Sequence, residues 1–304
     1  MRLMTFSHGD RTAVGVLRDG WVIDVQVACA LAKLPAPPAT MRELIAAGPA
    51  TWEYVRRATG EMSVKLKRDS SGLRASGAVF AQGDVTVLAP VTPGKVIAIG
   101  LNYAAHAHEQ NLEPPKEPLI FAKFPTSVIA DGDTIEYSTK ITEKVDYEAE
   151  LAVVIGKTAK NVDEAEALSH VFGYTVGNDV SARDLQKGDG QWTRAKSLDT
   201  FCPLGPAIVT ADEVPDPQTL GIRSILNGTV MQSSNTSDMI HGVAKLIAHA
   251  SAAFTLEPGD VIMTGTPEGV GIHRKPPVLM QDGDRIRIEI DGVGAIENPV
   301  RVVG

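Results

Sequence analysis

Cysteine is almost missing from this 304-residue chain, and the two present, Cys29 and Cys202, stand far apart with no framework spacing. A disulfide-stapled scaffold is excluded, and free thiols in a reducing compartment are expected. Long apolar runs are missing too. Nothing approaches the ~18 residues of a membrane span, and the opening stretch from Met1 to Asp10 has no signal-peptide core. The chain therefore reads as cytoplasmic, with no membrane partner. No Lys/Arg stripe forms, and 29 bases face 37 acids for a net charge of −8. That balance argues against nucleic acid and leaves a small molecule as the expected partner. Disordered tracts are also absent. With 43% hydrophobic residues, the chain can bury a large core as one big domain or two smaller ones.

The first ~30 residues alternate apolar runs with the turn signals His8-Gly9-Asp10 and Asp19-Gly20, predicting a small β-meander. Thr40-Met41-Arg42-Glu43 has capping-box form, and its helix stops at Gly48-Pro49; a second short helix is expected over 51–58. These pieces define a small N-terminal α+β domain, 1–84, ending in a weakly patterned stretch. From 85 to 304 the chain reads as mostly β, a barrel or rolled sheet. Pro93-Gly94-Lys95-Val96-Ile97 is echoed by Pro258-Gly259-Asp260-Val261-Ile262, each a turn followed by a buried strand. One clear helix carries Ile240, Val243, Leu246, Ile247, Ala250 and Phe254 at helical spacing, with Ser237-Asp238 as cap candidates.

Val145 to Gly156 reads as a single strand, so Asp146, Glu148 and Glu150 share one face while Ala149, Leu151, Val153 and Ile155 share the other. Parallel carboxylates on so apolar a strand are costly to ionise unless a cation lies between them. The competing explanation is a solvated strand end. A second strand, from Val171, ends on Asp179. If the two are neighbours, Asp179 faces both glutamates, and three carboxylates with no nearby His or Cys suit Mg²⁺, Mn²⁺ or Ca²⁺ better than zinc. An Asx turn or helix cap would also explain Asp179.

Lys196 stands among small and apolar residues and can hold substrate oxygens or an enolate beside such a metal; a surface pair with Asp199 is the alternative. His106 and Glu109 share a face if their segment is helical, so Glu109 can orient His106 as a general base, or the two form a solvated pair on a mobile turn. Pro114-Pro115-Lys116-Glu117-Pro118 cannot continue that helix, which makes the segment a candidate lid.

Taken together, Asn102 to Glu109, Lys116 to Phe121, Val145 to Gly156, Gly173 to Asp184, Ala195 to Pro206, Gln232 to Thr236 and Gly265 to Gly271 resemble the fumarylacetoacetate hydrolase family, in order and over roughly 85–304. The resemblance implies a mixed β-roll, a homodimer, and Glu148, Glu150 and Asp179 as ligands of Mg²⁺ or Mn²⁺. It makes Lys196 a catalytic neighbour of the metal and His106 with Glu109 the lid dyad. Lys123, Gln232, Thr236, Gly265 and Thr266 are implied as substrate-binding, although a loop and a strand-to-loop turn explain the last four locally. Leu198 departs from the family's usual Phe, and no match exists for an extra N-terminal Asp ligand, so fumarylacetoacetate itself is not the expected substrate.

The implied substrate is a 2-oxo or 1,3-diketo acid that chelates the cation through its carboxylate and 2-oxo oxygen, so that enolate charge develops beside the cation and Lys196. C–C hydrolysis of an acylpyruvate is the first expectation. Oxaloacetate tautomerase or decarboxylase, or a 2-hydroxyhepta-2,4-diene-1,7-dioate isomerase type, is the alternative. From another class comes a non-catalytic 2-oxo acid binding protein, which would have no need of a general base.

Overall fold

The computed structural model describes residues 1–304. It opens with the meander β1 (Arg2–His8), β2 (Arg11–Arg18) and β3 (Trp21–Asp24). Asp19 and Gly20 join β2 to β3, both at positive φ, in keeping with the twist of the flanking strands. Helices α1 (Val25–Leu31), α2 (Met41–Ala46), α3 (Pro49–Leu66) and α4 (Ser70–Ala75) follow, then β4 (Val79–Ala81) and β5 (Thr86–Leu88). The Thr40–Glu43 capping box forms. The helix expected over 51–58 is longer, because Pro49 starts it and Val55, Ala58, Thr59 and Met62 bury one face of it.

Next come β6 (Val96–Gly100), α5 (Ala104–Glu109), β7 (Leu119–Lys123), β8 (Val128–Ile129), β9 (Ile135–Ser138), β10 (Val145–Asp146) and β11 (Ala149–Ile155). Then follow α6 (Glu164–Ala167), β12 (Val171–Asn178), β13 (Ser181–Ala182), α7 (Arg183–Asp189), α8 (Trp192–Lys196) and β14 (Cys202–Thr210). The chain closes with β15 (Gly221–Leu226), β16 (Thr229–Asn235), α9 (Val243–Ala253), β17 (Val261–Met263), β18 (Arg285–Ile290) and β19 (Gly294–Val303).

The main sheet runs β4-β3-β2-β1-β14-β12-β11-β17-β6-β7, with β5 on β1 and β8 on β14. It ends at β4 and β7 without closing, so the fold is strand-dominated α+β and the barrel alternative is set aside. One sheet thus carries strands from both sides of residue 84, since β1 pairs with both β5 and β14. Alternation along the buried β11 builds two cores. Leu151, Val153 and Ile155 pack with residues of α9, β18 and β19, while Ala152 and Val154 face a second cluster that includes residues of α1, α2 and α3. A smaller sheet, β16-β15-β18-β19-β9, contributes Ile222, Ile288 and Ile296 to the first core.

The two echoed segments lie side by side: Val96 pairs with Val261 and Ile97 with Ile262, in parallel and in the register in which their sequences match. The long helix differs from expectation at its start. It begins at Val243 behind Gly242, and Gln218 Oε1 accepts the Val243 amide at 2.8 Å, so a remote side chain does the work assigned to Ser237 and Asp238. No helix is long and apolar enough to cross a membrane.

Candidate active site

The strand expected to run unbroken from Val145 divides in two: β10 pairs with β13, and β11 pairs with β12 and β17. Tyr147 and Glu148 fill the break, where the Glu148 amide donates to Asn178 Oδ1 at 3.0 Å and the Asp179 amide donates to the Glu148 carbonyl at 3.0 Å. Asp146 is consequently engaged elsewhere. Its oxygens accept the amides of Gly271 at 2.8 Å and Ile272 at 3.0 Å and pair with Arg183 Nε at 2.9 Å, anchoring the loop after β17. Glu148, Glu150 and Asp179 do converge, offering carboxylate oxygens within 4.8 Å of one another. A solvated strand end does not describe them, because they are 5%, 1% and 0% exposed.

Three cations surround these acids. Lys196 Nζ lies 2.8 Å from Glu148 Oε2 and 2.8 Å from Asp179 Oδ2; the lysine is buried and is no surface partner of Asp199. Lys123 Nζ sits 2.6 Å from Asp179 Oδ1 and also donates to the Lys196 carbonyl. Arg183 Nη2 lies 2.7 Å from Glu148 Oε1. Burial alone would raise the Glu148 carboxyl, but Lys196 and Arg183 outweigh it and hold the group below its usual value. Glu150 meets no such partner and accepts only the Gly265 amide, at 2.9 Å. Burial, then Asp179 and Glu148, push its carboxyl well above the usual range. Four carboxylates thus face three cations, and the three that converge are hard oxygen donors. This donor set fits one divalent cation.

The site opens into a cavity of about 340 Å³. Its lining includes Lys187 and Trp192 from the α7 and α8 segment, His106 from α5 and Gln110 just after it, and His273 and Thr266 from the loop after β17. His106 Nδ1 is 3.1 Å from Glu109 Oε2, and the other carboxylate oxygen accepts the Gly269 amide at 3.1 Å. Burial would raise Glu109, yet its hydrogen bonds to His106 and to that amide lower it. Its charge therefore favours a proton on Nδ1 and leaves Nε2 as the acceptor, which takes Gln110 Nε2 at 2.9 Å. The dyad is built rather than solvated.

The other expected binding positions divide. Thr266 lines the cavity. Gln232 is buried behind it with its amide fully used, accepting from the Ala149 amide at 3.0 Å and donating to Thr266 Oγ1 and the Pro267 carbonyl at 2.8 Å each, so it positions β11 against the loop. Thr236 is buried and accepts the Leu220 amide at 2.9 Å, away from the cavity. Lys123 is buried against Asp179 and does not line the cavity. Gly265 has φ +96°, and a Cβ there would stand 2.7 Å from Asn102 Cβ. Gly265→Ala is expected to destabilise the fold by about 1–3 kcal/mol, read as a lowered thermal midpoint; an unchanged midpoint would show that the loop relaxes freely.

Sequence reasoning missed Arg183 and His273 as site residues. Arg183 had a signal, a cation opening the helix just past an acid-ended strand. His273 had none, being brought in by a loop whose anchor, Asp146, is remote in sequence; burial lowers its imidazole, and its ring centroid lies 6.3 Å from that of His106.

Comparison with known proteins finds relatives over the whole chain. A model of the fumarylacetoacetate (FAA) hydrolase C-terminal family matches residues 95–301. Oxaloacetate tautomerase fahd2, mitochondrial, of Xenopus laevis is 45% identical over 307 residues, covering 99% of this chain and 90% of that protein. A fumarylacetoacetate hydrolase from Exiguobacterium antarcticum superposes with TM-score 0.81 at 36% identity over all of both chains. A 5-carboxymethyl-2-hydroxymuconate delta-isomerase from Mycobacterium smegmatis superposes with TM-score 0.75 at 38% identity, again over all of both chains. With its buried acid triad, its lysine and its His–Glu pair, this chain belongs to the fumarylacetoacetate hydrolase family.

Proposed function

We propose that this protein is an oxaloacetate tautomerase, moving one proton between C3 and the 2-oxo oxygen of a four-carbon 2-oxo diacid. The reading rests on the similarity, over 99% of the chain, to a protein named for that reaction. Hydrolysis of an acylpyruvate, first in the sequence reading, moves behind it. A non-catalytic binder gives no reason for the oriented His106–Glu109 pair.

Glu148, Glu150 and Asp179 are assigned to one Mg²⁺ or Mn²⁺, which when bound supplies positive charge to the substrate carboxylate and 2-oxo oxygen. Lys196 is held in its charged form because Asp179 and Glu148 outweigh its burial, so it adds a fixed positive charge where enolate charge grows. His106 Nε2 takes the C3 proton as the C–H electron pair moves into the C2–C3 bond and the C2–O π pair moves onto the 2-oxygen. Glu109 stabilises the resulting imidazolium, which returns the proton to the 2-oxygen. Homodimerisation belongs to the same proposal and is checked by sedimentation equilibrium.

The test is an assay of chelator-stripped protein with Mg²⁺ or Mn²⁺ added back. The enol absorbance of oxaloacetate is followed beside cleavage of several acylpyruvates. Tautomerisation is expected to vanish with chelation and return with the ion. Efficient acylpyruvate cleavage without tautomerisation would restore the hydrolase, and full tautomerisation in excess chelator would remove the cation.

A further inference from the structure

Beyond the three cations already committed to the buried acids, the cavity carries a fourth that is unspent. Lys196 is committed to Glu148 and Asp179, and Arg183 to Asp146 and Glu148. Lys187 lines the same cavity from the last turn of α7, is exposed, and has no carboxylate within ion-pair distance. The acids that flank it in sequence are engaged elsewhere. Asp184 accepts Thr142 Oγ1 at 2.6 Å, and Asp189 takes both Arg194 Nε and Nη2. The helix beneath Lys187 is therefore pinned at both ends, and Gly190 in the left-handed region stops it.

We infer that Lys187 binds the distal carboxylate of the substrate and so selects 2-oxo diacids over 2-oxo monoacids. The inference rests on the substrate reading above. With the first carboxylate and 2-oxo group directed at the triad, the fourth carbon of such an acid points back along the cavity towards its mouth. A flexible lysine stem there can close on a second carboxylate without disturbing the inner ion pairs. Arg183 cannot serve instead, because its guanidinium already bridges two buried carboxylates.

The test uses unreactive analogues that differ by one carboxylate. Calorimetric affinities of malate and lactate are compared in the full-length protein with saturating Mg²⁺, for wild type, Lys187→Ala and Lys187→Arg. Lys187→Ala is expected to weaken malate roughly tenfold, the scale of one partly solvated charge-assisted hydrogen bond, and to leave lactate within about twofold. Lys187→Arg should retain most of the malate affinity. Equal losses for both acids, no loss for either, or no binding of malate by wild type would overturn the assignment. A selective malate loss in a protein that does not tautomerise oxaloacetate supports the inference and removes only the reaction proposed above.

Discussion

His106→Ala is expected to lower oxaloacetate tautomerisation by about 10²–10⁴-fold, the usual worth of a positioned general base. The size follows from how completely the structure commits this imidazole. Nδ1 is held by a carboxylate that is itself fixed by the Gly269 amide, so only Nε2 is available for proton transfer. That nitrogen takes the Gln110 amide at 2.9 Å, and the contact must break before substrate can reach it. Glu109→Gln keeps a hydrogen-bonding partner but removes the charge that stabilises the imidazolium. It should therefore cost less, roughly tenfold, the difference between a charge-assisted and a neutral hydrogen bond. His273 lies close enough to be a substitute base, so the measurement includes His106→Ala combined with His273→Ala. Initial rates of enol loss, taken beside thermal midpoints, separate chemistry from folding. A His106→Ala rate within threefold of wild type would move the proton transfer to another group.

How much of this was legible beforehand depends on how local each feature is. The period-two placement of Glu148 and Glu150 is a property of one strand, and the i, i+3 placement of His106 and Glu109 of one helical turn; both are visible in sequence and both are found. Asp146 was grouped with the glutamates for the same reason. It parts from them because Gly271, Ile272 and Arg183, all remote in sequence, bid for its oxygens and break the strand. The cap of α9 fails as a local reading in the same way, since Gln218 arrives from another segment. Whether the sheet closes is decided by the strands at its two ends, β4 and β7, and no periodicity within either strand carries that information. Gln232 shows the converse limit. Its motif position is conspicuous, but only its three hydrogen bonds reveal that it holds backbone and loop together.

Lys196→Met should separate three quantities that an ordinary buried ion pair would move together. Turnover is expected to fall about 10²–10³-fold, the scale for removing one preorganised donor from a site where oxyanion charge develops. Methionine keeps most of the unbranched stem and puts a polarizable sulfur near the Phe121 ring, over which the ammonium lies 5.3 Å from the centroid, so the loss reports charge more than shape. Cation affinity should hold or tighten, because the ammonium both repels an incoming ion and occupies Glu148 Oε2 and Asp179 Oδ2. The metal-free variant should be less stable than metal-free wild type by about 3–5 kcal/mol, since two buried carboxylates lose a shared counterion. Added Mn²⁺ should recover much of that difference by binding the folded state alone. Calorimetric titration with Mn²⁺, thermal unfolding with and without the ion, and oxaloacetate kinetics on one preparation give all three readings. Wild-type turnover in the variant would reduce Lys196 to a structural counterion, whereas loss of cation binding together with activity would make it a support for the triad, with no part in stabilising the developing charge.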